Sequence, residues 1–244
     1  MKLIVRLFFL LIPALANCQT SKPAADSLMI PSVNREWSFY EFADVYKILL
    51  ASQHGAPASI INLDNNAPLI KKLTSMESYW FLTSKDYTDA DRIKFCDSLQ
   101  HMVKQVFMNY YDKSKIVNEQ ISYGREIVGF VDVLFRVTVI EMGIIDGLLG
   151  AQTSLTPKQT NGLKQYVQGA TTMESGALYT LEKEYKSYPE ASICKLANSF
   201  KEFYAVFYSK LDADVKAEYD RRIANMIKTH PLPCVRTALQ GEKK

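Results

Sequence analysis

The sequence predicts an all-α protein, an antiparallel bundle of about seven helices around one central, buried helix. Three observations support this fold class. The segment 125–150, REIVGFVDVLFRVTVIEMGIIDGLLG, is apolar around most of its circumference when it is drawn as a helix. Apolar side chains recur at steps of three and four residues in most other segments. Helix-start signals return about every thirty residues with short connections between them, which is typical of antiparallel bundles.

The first 18 residues have the pattern of an export signal. A basic start, MKLIVR, precedes the apolar run LFFLLIPAL, which is too short to span a membrane in the mature protein. Two processing sites compete. The ALA at 14–16 fits an ordinary signal peptidase, whereas the LANC at 15–18 resembles a bacterial lipobox, with Asn17 in place of the small residue that this motif prefers. The resemblance implies lipidation of Cys18.

Three further parts follow the signal. Residues 19–34 are predicted to form a flexible tether, 35–236 a single helical domain and 237–244 a polar tail. The composition, 48% hydrophobic and 23% charged, excludes disorder of the whole chain. Two of the 29 basic residues leave with the signal, so 27 remain against 26 acidic residues. This balance offers no electrostatic basis for nucleic-acid binding.

Three helices are predicted before the central one. The first, 35–54, is rich in aromatic residues that favour docking onto the core, with a ligand or partner groove as the alternative. The second is predicted to begin at Ala67-Pro68 and to run to about residue 82, because proline suits a first helical turn. The third follows Thr88-Asp-Ala-Asp91, which is close to a capping box, and extends to about residue 113.

The segment 125–150 is predicted to be the buried centre of the bundle, with a membrane span as the alternative. The core is favoured because each charged residue costs about 2.5–3.5 kcal/mol at the centre of a bilayer. One strip of this helix carries four of its charged residues together with its glycines. Asp132 and Arg136 lie on that strip at a spacing that allows them to pair at the surface.

Glu141 falls on the opposite, apolar side of the central helix. An ionised carboxylate there needs a partner or takes up a proton. On one interpretation, Glu141 is a core residue satisfied by an Arg, Lys or Tyr of another helix. On the other, it is an acid with a raised pKa that takes part in catalysis. Spacing assigns no second carboxylate or histidine to it.

Three helices are predicted after the central one. The first begins at Thr156, where a capping box and a proline coincide, and its glycines at 169 and 176 suggest close approach to the central strip or a bend. The second follows the similar signal at 187–190, and the third runs from Asp212 to about residue 228.

Four cysteines are informative because disulfides form in exported proteins. Lipidation of Cys18 would leave an odd set, so one disulfide and one buried thiol are the simplest account. Cys234 lies in the proline-rich segment THPLPCV, and we expect Cys194 to be its partner. The alternative is that all the cysteines are reduced and buried.

The sequence lacks the motifs of common catalytic sites, namely HExxH, GxSxG, GxxxxGK[ST] and GxGxxG. Asp97 and His101 are spaced like a pair of metal ligands, but they lie away from the apolar stripe of their helix, which favours a solvated pair. We therefore predict no metal and no cofactor.

Three functional hypotheses remain. The leading one is an exported, non-catalytic binding or interaction protein of a bacterial envelope, in the periplasm or on the outer membrane as a lipoprotein. Its ligand would be a protein or a small molecule, and a lipid on Cys18 would be its contact with the membrane. The alternatives are an immunity or inhibitor protein that blocks a toxin or enzyme, and a hydrolase that uses Glu141 as acid or base.

Overall fold

The computed structural model describes residues 30–53, 63–116, 120–150 and 155–240. Within these ranges the chain forms α-helices and short helical turns without any strand, so the all-α prediction is confirmed. The predicted signal and Cys18 lie outside the described residues. The α-helices are α1 (Phe39–Gln53), α2 (Leu63–Thr74), α3 (Asp89–Ile116), α4 (Gln120–Gly150), α5 (Pro157–Tyr179), α6 (Glu190–Phe207), α7 (Ala213–Thr229) and α8 (Pro233–Gln240).

The predicted second helix is divided into two elements. Helix α2 begins at Leu63, ahead of the predicted start, and contains Pro68. A 3₁₀-helix, Met76–Leu82, follows it, and Ser75 between them has an extended backbone (φ −100°, ψ 124°). The break at Ser75 separates α2 from the 3₁₀-helix. The residues around it form one wall of a surface cavity.

Helix α4 is the central element of the bundle. It packs against α2, α3, α6 and the 3₁₀-helix Met76–Leu82. Its side chains from 126 to 135 are buried apart from Val131, and Phe130 and Val133 are completely enclosed. None of the helices in the described part of the chain is long and apolar enough to cross a membrane. The burial of its middle shows that the apolar side chains of α4 pack within the bundle.

The last two turns of α4 are much more exposed than its middle. Leu148 is 42% exposed, although it belongs to the apolar segment 125–150. A Cβ atom added at Gly143, or at Gly169 or Gly176 of α5, would meet nothing within 4 Å. The suggested close approach of the α5 glycines to the central strip is therefore wrong, because open space adjoins these positions.

Helix α1 docks onto the bundle through its aromatic side chains, as its composition predicts. Phe42 stacks on Tyr79 of the 3₁₀-helix with 4.5 Å between ring centroids. Phe39 stacks on Phe95 of α3 at 4.3 Å. These contacts hold α1 and the 3₁₀-helix against α3, and Trp37 is completely buried among them.

The C-terminal segment forms a short helix in addition to the predicted ones. Pro233 occupies the first position of α8, where a missing N–H costs least. The helix continues to Gln240, and Leu239 is 1% exposed, so the first four residues of the predicted polar tail belong to the folded domain. Lys201 of α6 donates a hydrogen bond to the Leu239 carbonyl over 3.0 Å.

Candidate functional site

Glu141 is buried between three helices. It lies on α4 with a 2% exposed fraction and accepts hydrogen bonds from Gln100 of α3 and Tyr166 of α5. The Tyr166 hydroxyl lies 2.8 Å from Glu141 Oε2 and 3.1 Å from the carbonyl oxygen of Thr138. Because a hydroxyl has one proton, Tyr166 donates to one of these two acceptors at a time.

A second carboxylate lies close to Glu141. Burial, and then the charge of Asp97, raise the pKa of Glu141 to about 8, whereas the hydrogen bonds from Tyr166 and Gln100 lower it. Glu141 is therefore largely protonated at neutral pH. Asp97 is exposed, one helical turn before Gln100 on α3. The sequence could not identify this carboxylate pair because it depends on how α3 and α4 meet.

Asp97 and His101, the pair spaced like metal ligands, lie on the outer side of α3. Both side chains are exposed. The His101 ring nitrogen Nε2 lies 2.9 Å from the Gln105 side-chain amide on the same helix. The described residues supply no third ligand to this pair.

Asp132 is a buried carboxylate with three donors around it. Its exposed fraction is 4%, so the predicted surface position of this residue is wrong, because α6 packs over that side of α4. Arg136 donates through Nε to Oδ1 over 3.0 Å, as the spacing predicted. Ser199 of α6 also donates to Oδ1, and Lys195 Nζ lies 3.1 Å from Oδ2.

Asp132 lies at a surface cavity of about 350 Å³, which we call the Asp132 cavity. The cavity is enclosed by the end of α2, the start of the 3₁₀-helix, the middle of α4 and the N-terminal half of α6. Its volume lies within the range of about 300–1,000 Å³ typical of small-molecule sites. Its lining is mostly polar and consists of Lys71, Thr74, Ser75, Met76, Glu77, Asp132, Arg136 and Lys195.

A second open cavity, the His230 cavity, has a volume of about 450 Å³ and lies beside α7. Arg222 is paired there, whereas the lysine and the other arginine of the lining form no ion pair with any described residue. Arg222 donates two hydrogen bonds to Glu182, over 3.1 and 3.0 Å, and also approaches Glu218 at 3.6 Å. His230 accepts a hydrogen bond at Nδ1 from the backbone N–H of Leu232. Its other ring nitrogen, Nε2, therefore donates to the Leu181 carbonyl. These contacts join α7 to the end of α5.

Cys194 and Cys234, the pair expected from the sequence, form a disulfide between α6 and α8, with 5.5 Å between their Cα atoms. Glu190 lies beside the two sulfur atoms, but a disulfide offers no thiolate to a metal. Cys96 is a free thiol on α3, and its burial raises its pKa. One disulfide and one buried thiol thus occur in the described residues.

Glu174 was overlooked in the sequence. It lies on α5 with no exposed surface, and neither of its carboxylate oxygens has a hydrogen-bond partner among the described residues. Burial raises its pKa to about 8. Its spacing in the sequence indicates the burial, because Glu174 lies on the same stripe of α5 as the buried residues Ala170, Ala177 and Leu178.

Searches against protein-family models, curated proteins and solved structures found no match to this chain. The assignment of a site therefore rests on geometry. Glu141 lines neither of the two cavities, and its Oε2 already accepts hydrogen bonds from Gln100 and Tyr166. The Asp132 cavity combines access from solvent with charged groups held at fixed positions. It is the candidate functional site.

Proposed function

We propose that the protein is an exported, non-catalytic ligand-binding protein of a bacterial envelope, and that its ligand occupies the Asp132 cavity. The observation that carries this proposal is the cavity itself. It lies on the central helix and is open to solvent, and it is lined by charged side chains that a buried carboxylate holds in place. A rigid set of polar groups in a concave site is the arrangement that recognises a small ligand.

The surroundings of Glu141 favour binding over hydrolysis. A general acid has to reach the substrate at hydrogen-bond distance, directly or through one water. Glu141 is 2% exposed, and Gln100 and Tyr166 fill the positions next to its carboxyl group. Its raised pKa follows from burial and a neighbouring charge, which also arise at structural sites.

The proposed location rests on the N-terminal sequence. An export signal over residues 1–18, the lipobox-like LANC and a small, polar tether together favour a domain held near a membrane by a lipid on Cys18. A Cys18→Ser variant would then move from the membrane fraction to the soluble periplasmic fraction. Recovery of both proteins in the cytoplasm would contradict the proposed export.

The ligand site is tested by filling the cavity. Ser75 lines the Asp132 cavity and is half-buried, so Ser75→Trp places an indole in the ligand's position. Ser98 is exposed on α3 outside the cavity, and Ser98→Trp is the matched control. The three proteins are purified from the organism that makes them and compared by native mass spectrometry. We expect a small molecule to remain with the wild type and Ser98→Trp and to be absent from Ser75→Trp.

Equal retention by both tryptophan variants would contradict the assignment of the site. Absence of a retained molecule from all three proteins, together with no binding of added small molecules, would contradict the proposed function. Circular dichroism establishes whether Ser75→Trp keeps the helical content of the wild type. If the tryptophan disturbs folding, the smaller side chain of Ser75→Leu provides the same comparison.

A further inference from the structure

We propose that the Asp132 cavity binds the anionic group of its ligand, a carboxylate or a phosphate. This inference rests on the proposed function and adds the chemical class of the ligand. Three cationic side chains, from three different helices, line one opening of about 350 Å³. Two carboxylates belong to the same lining, so the charges of the lining sum to +1, and a third carboxylate outside the lining, Glu202, pairs with one of the cations. The cations are Lys71 of α2, Arg136 of α4 and Lys195 of α6.

Asp132 holds two of these cations rather than offering its charge to a ligand. It accepts bonds from Arg136, Lys195 and Ser199, which occupy three of the about four acceptor positions of a carboxylate. A cationic ligand would have to displace one of these donors from the buried carboxylate. An anion would leave all three bonds in place, because it would bind on the outer side of the cations.

Unused donors remain on all three cations. The Arg136 guanidinium uses Nε toward Asp132 and Nη1 toward Glu202, at 3.1 Å, and a guanidinium has five N–H donors. Lys195 has three donors and directs Nζ to Asp132. Lys71 has no ion pair or hydrogen bond with any other described residue. The cavity therefore presents donors without matching acceptors, which is the chemistry that recognises carboxylate and phosphate oxygens.

Buried Asp132 also explains how this arrangement is held in place before a ligand arrives. Free arginine and lysine side chains lose conformational freedom when they bind a ligand. Here the carboxylate fixes Arg136 and Lys195 relative to α4 and α6, so less freedom is lost on binding. The His230 cavity differs in this respect, since both of its carboxylates bind the same cation, Arg222, and its lysine and other arginine have no ion pair among the described residues.

The test is a titration of the mature full-length chain with inorganic phosphate and, separately, with acetate, followed by NMR chemical shifts at low ionic strength. Lys71→Gln removes the unpaired cation. Lys72→Gln removes the same charge one residue away, but Lys72 Nζ donates to the Arg35 carbonyl and lies over the Trp37 ring, outside the cavity. We expect at least one anion to bind, Lys71→Gln to weaken it about tenfold and Lys72→Gln to weaken it less than about twofold.

The two anions distinguish a phosphate from a carboxylate ligand by their relative affinities. Equal weakening by both lysine variants would mean that general electrostatic attraction explains the binding and would overturn the inference. No binding of either anion would overturn it as well. If native mass spectrometry then finds a neutral or cationic molecule that Ser75→Trp releases, the anion inference fails while the proposed function stands.

Discussion

The hydroxyl of Tyr166 on α5 lies 2.8 Å from the buried carboxylate of Glu141 on α4. This contact joins two helices around a group whose pKa is about 8. The neutral carboxyl therefore prevails in the folded protein at neutral pH, whereas the unfolded chain is ionised there. Folding must then take up a proton at Glu141, and this couples the stability of the bundle to pH.

Glu141→Gln is expected to change the pH dependence of stability. The folded pKa is raised above the ordinary value of 4.5, so the contribution of Glu141 is fully present below pH 4.5 and is lost as pH rises through 8. The glutamine stays neutral and avoids this loss. Relative to the wild type, the variant should gain about 4 kcal/mol of unfolding free energy between pH 4.5 and 8. Urea unfolding at a series of pH values measures the difference.

The control for this series is Glu36→Gln, since Glu36 is an exposed glutamate. Its stability difference from the wild type should stay constant over the same pH window. A constant difference for Glu141→Gln would show instead that Glu141 is already ionised in the folded protein. That outcome would contradict the raised pKa of Glu141 and the uptake of a proton on folding.

Glu174→Met is expected to stabilise the protein. Glu174 is completely buried and its oxygens lack hydrogen bonds among the described residues, which costs about 1–3 kcal/mol even in the neutral form. Methionine has a similar volume and no polar oxygen. The gain in unfolding free energy should increase from pH 5 to pH 8, because the pKa of Glu174 is about 8. A loss of stability at both pH values would show that the carboxyl makes an essential contact.

The sequence predicted the central helix well because its information is local. The apolar run over 125–150 and the period of three to four residues suffice to place α4 in the core. The same periodicity isolated Glu141 correctly as a buried carboxyl group. It placed Asp132 at the surface, however, because a helical projection does not show that α6 covers that side. The Asp132 cavity could not be predicted, since its lining comes from separate helices and from the break at Ser75.

Removal of the disulfide is expected to lower stability. Cys194 and Cys234 are separated by 40 residues, and a cross-link of that length restricts the unfolded chain by about 3–4 kcal/mol. The double variant Cys194→Ala, Cys234→Ala should lose about this amount in urea unfolding. Amide hydrogen exchange should accelerate first in α8, which the bridge joins to α6. A reductant should destabilise the wild type and leave the double variant unchanged, and an equal effect on both would contradict the assignment.

Two glycines of α4 are expected to respond in opposite directions to alanine. A Cβ atom at Gly129 would lie 2.7 Å from Cγ2 of Thr74, whereas one at Gly143 would meet nothing within 4 Å. Gly129→Ala should lose about 1–3 kcal/mol of unfolding free energy because α2 must move away. Gly143→Ala should gain about 0.5–1 kcal/mol through its higher helix propensity.

The same pair links packing to the candidate site. Thr74 lines the Asp132 cavity, so displacement of α2 by Gly129→Ala should also weaken binding of the anion in the phosphate and acetate titrations. Gly143→Ala leaves that wall in place and should bind as the wild type does. If Gly129→Ala were as stable as Gly143→Ala and bound equally well, then α2 would not pack closely on α4, and the cavity would lack the fixed wall on which its selectivity depends.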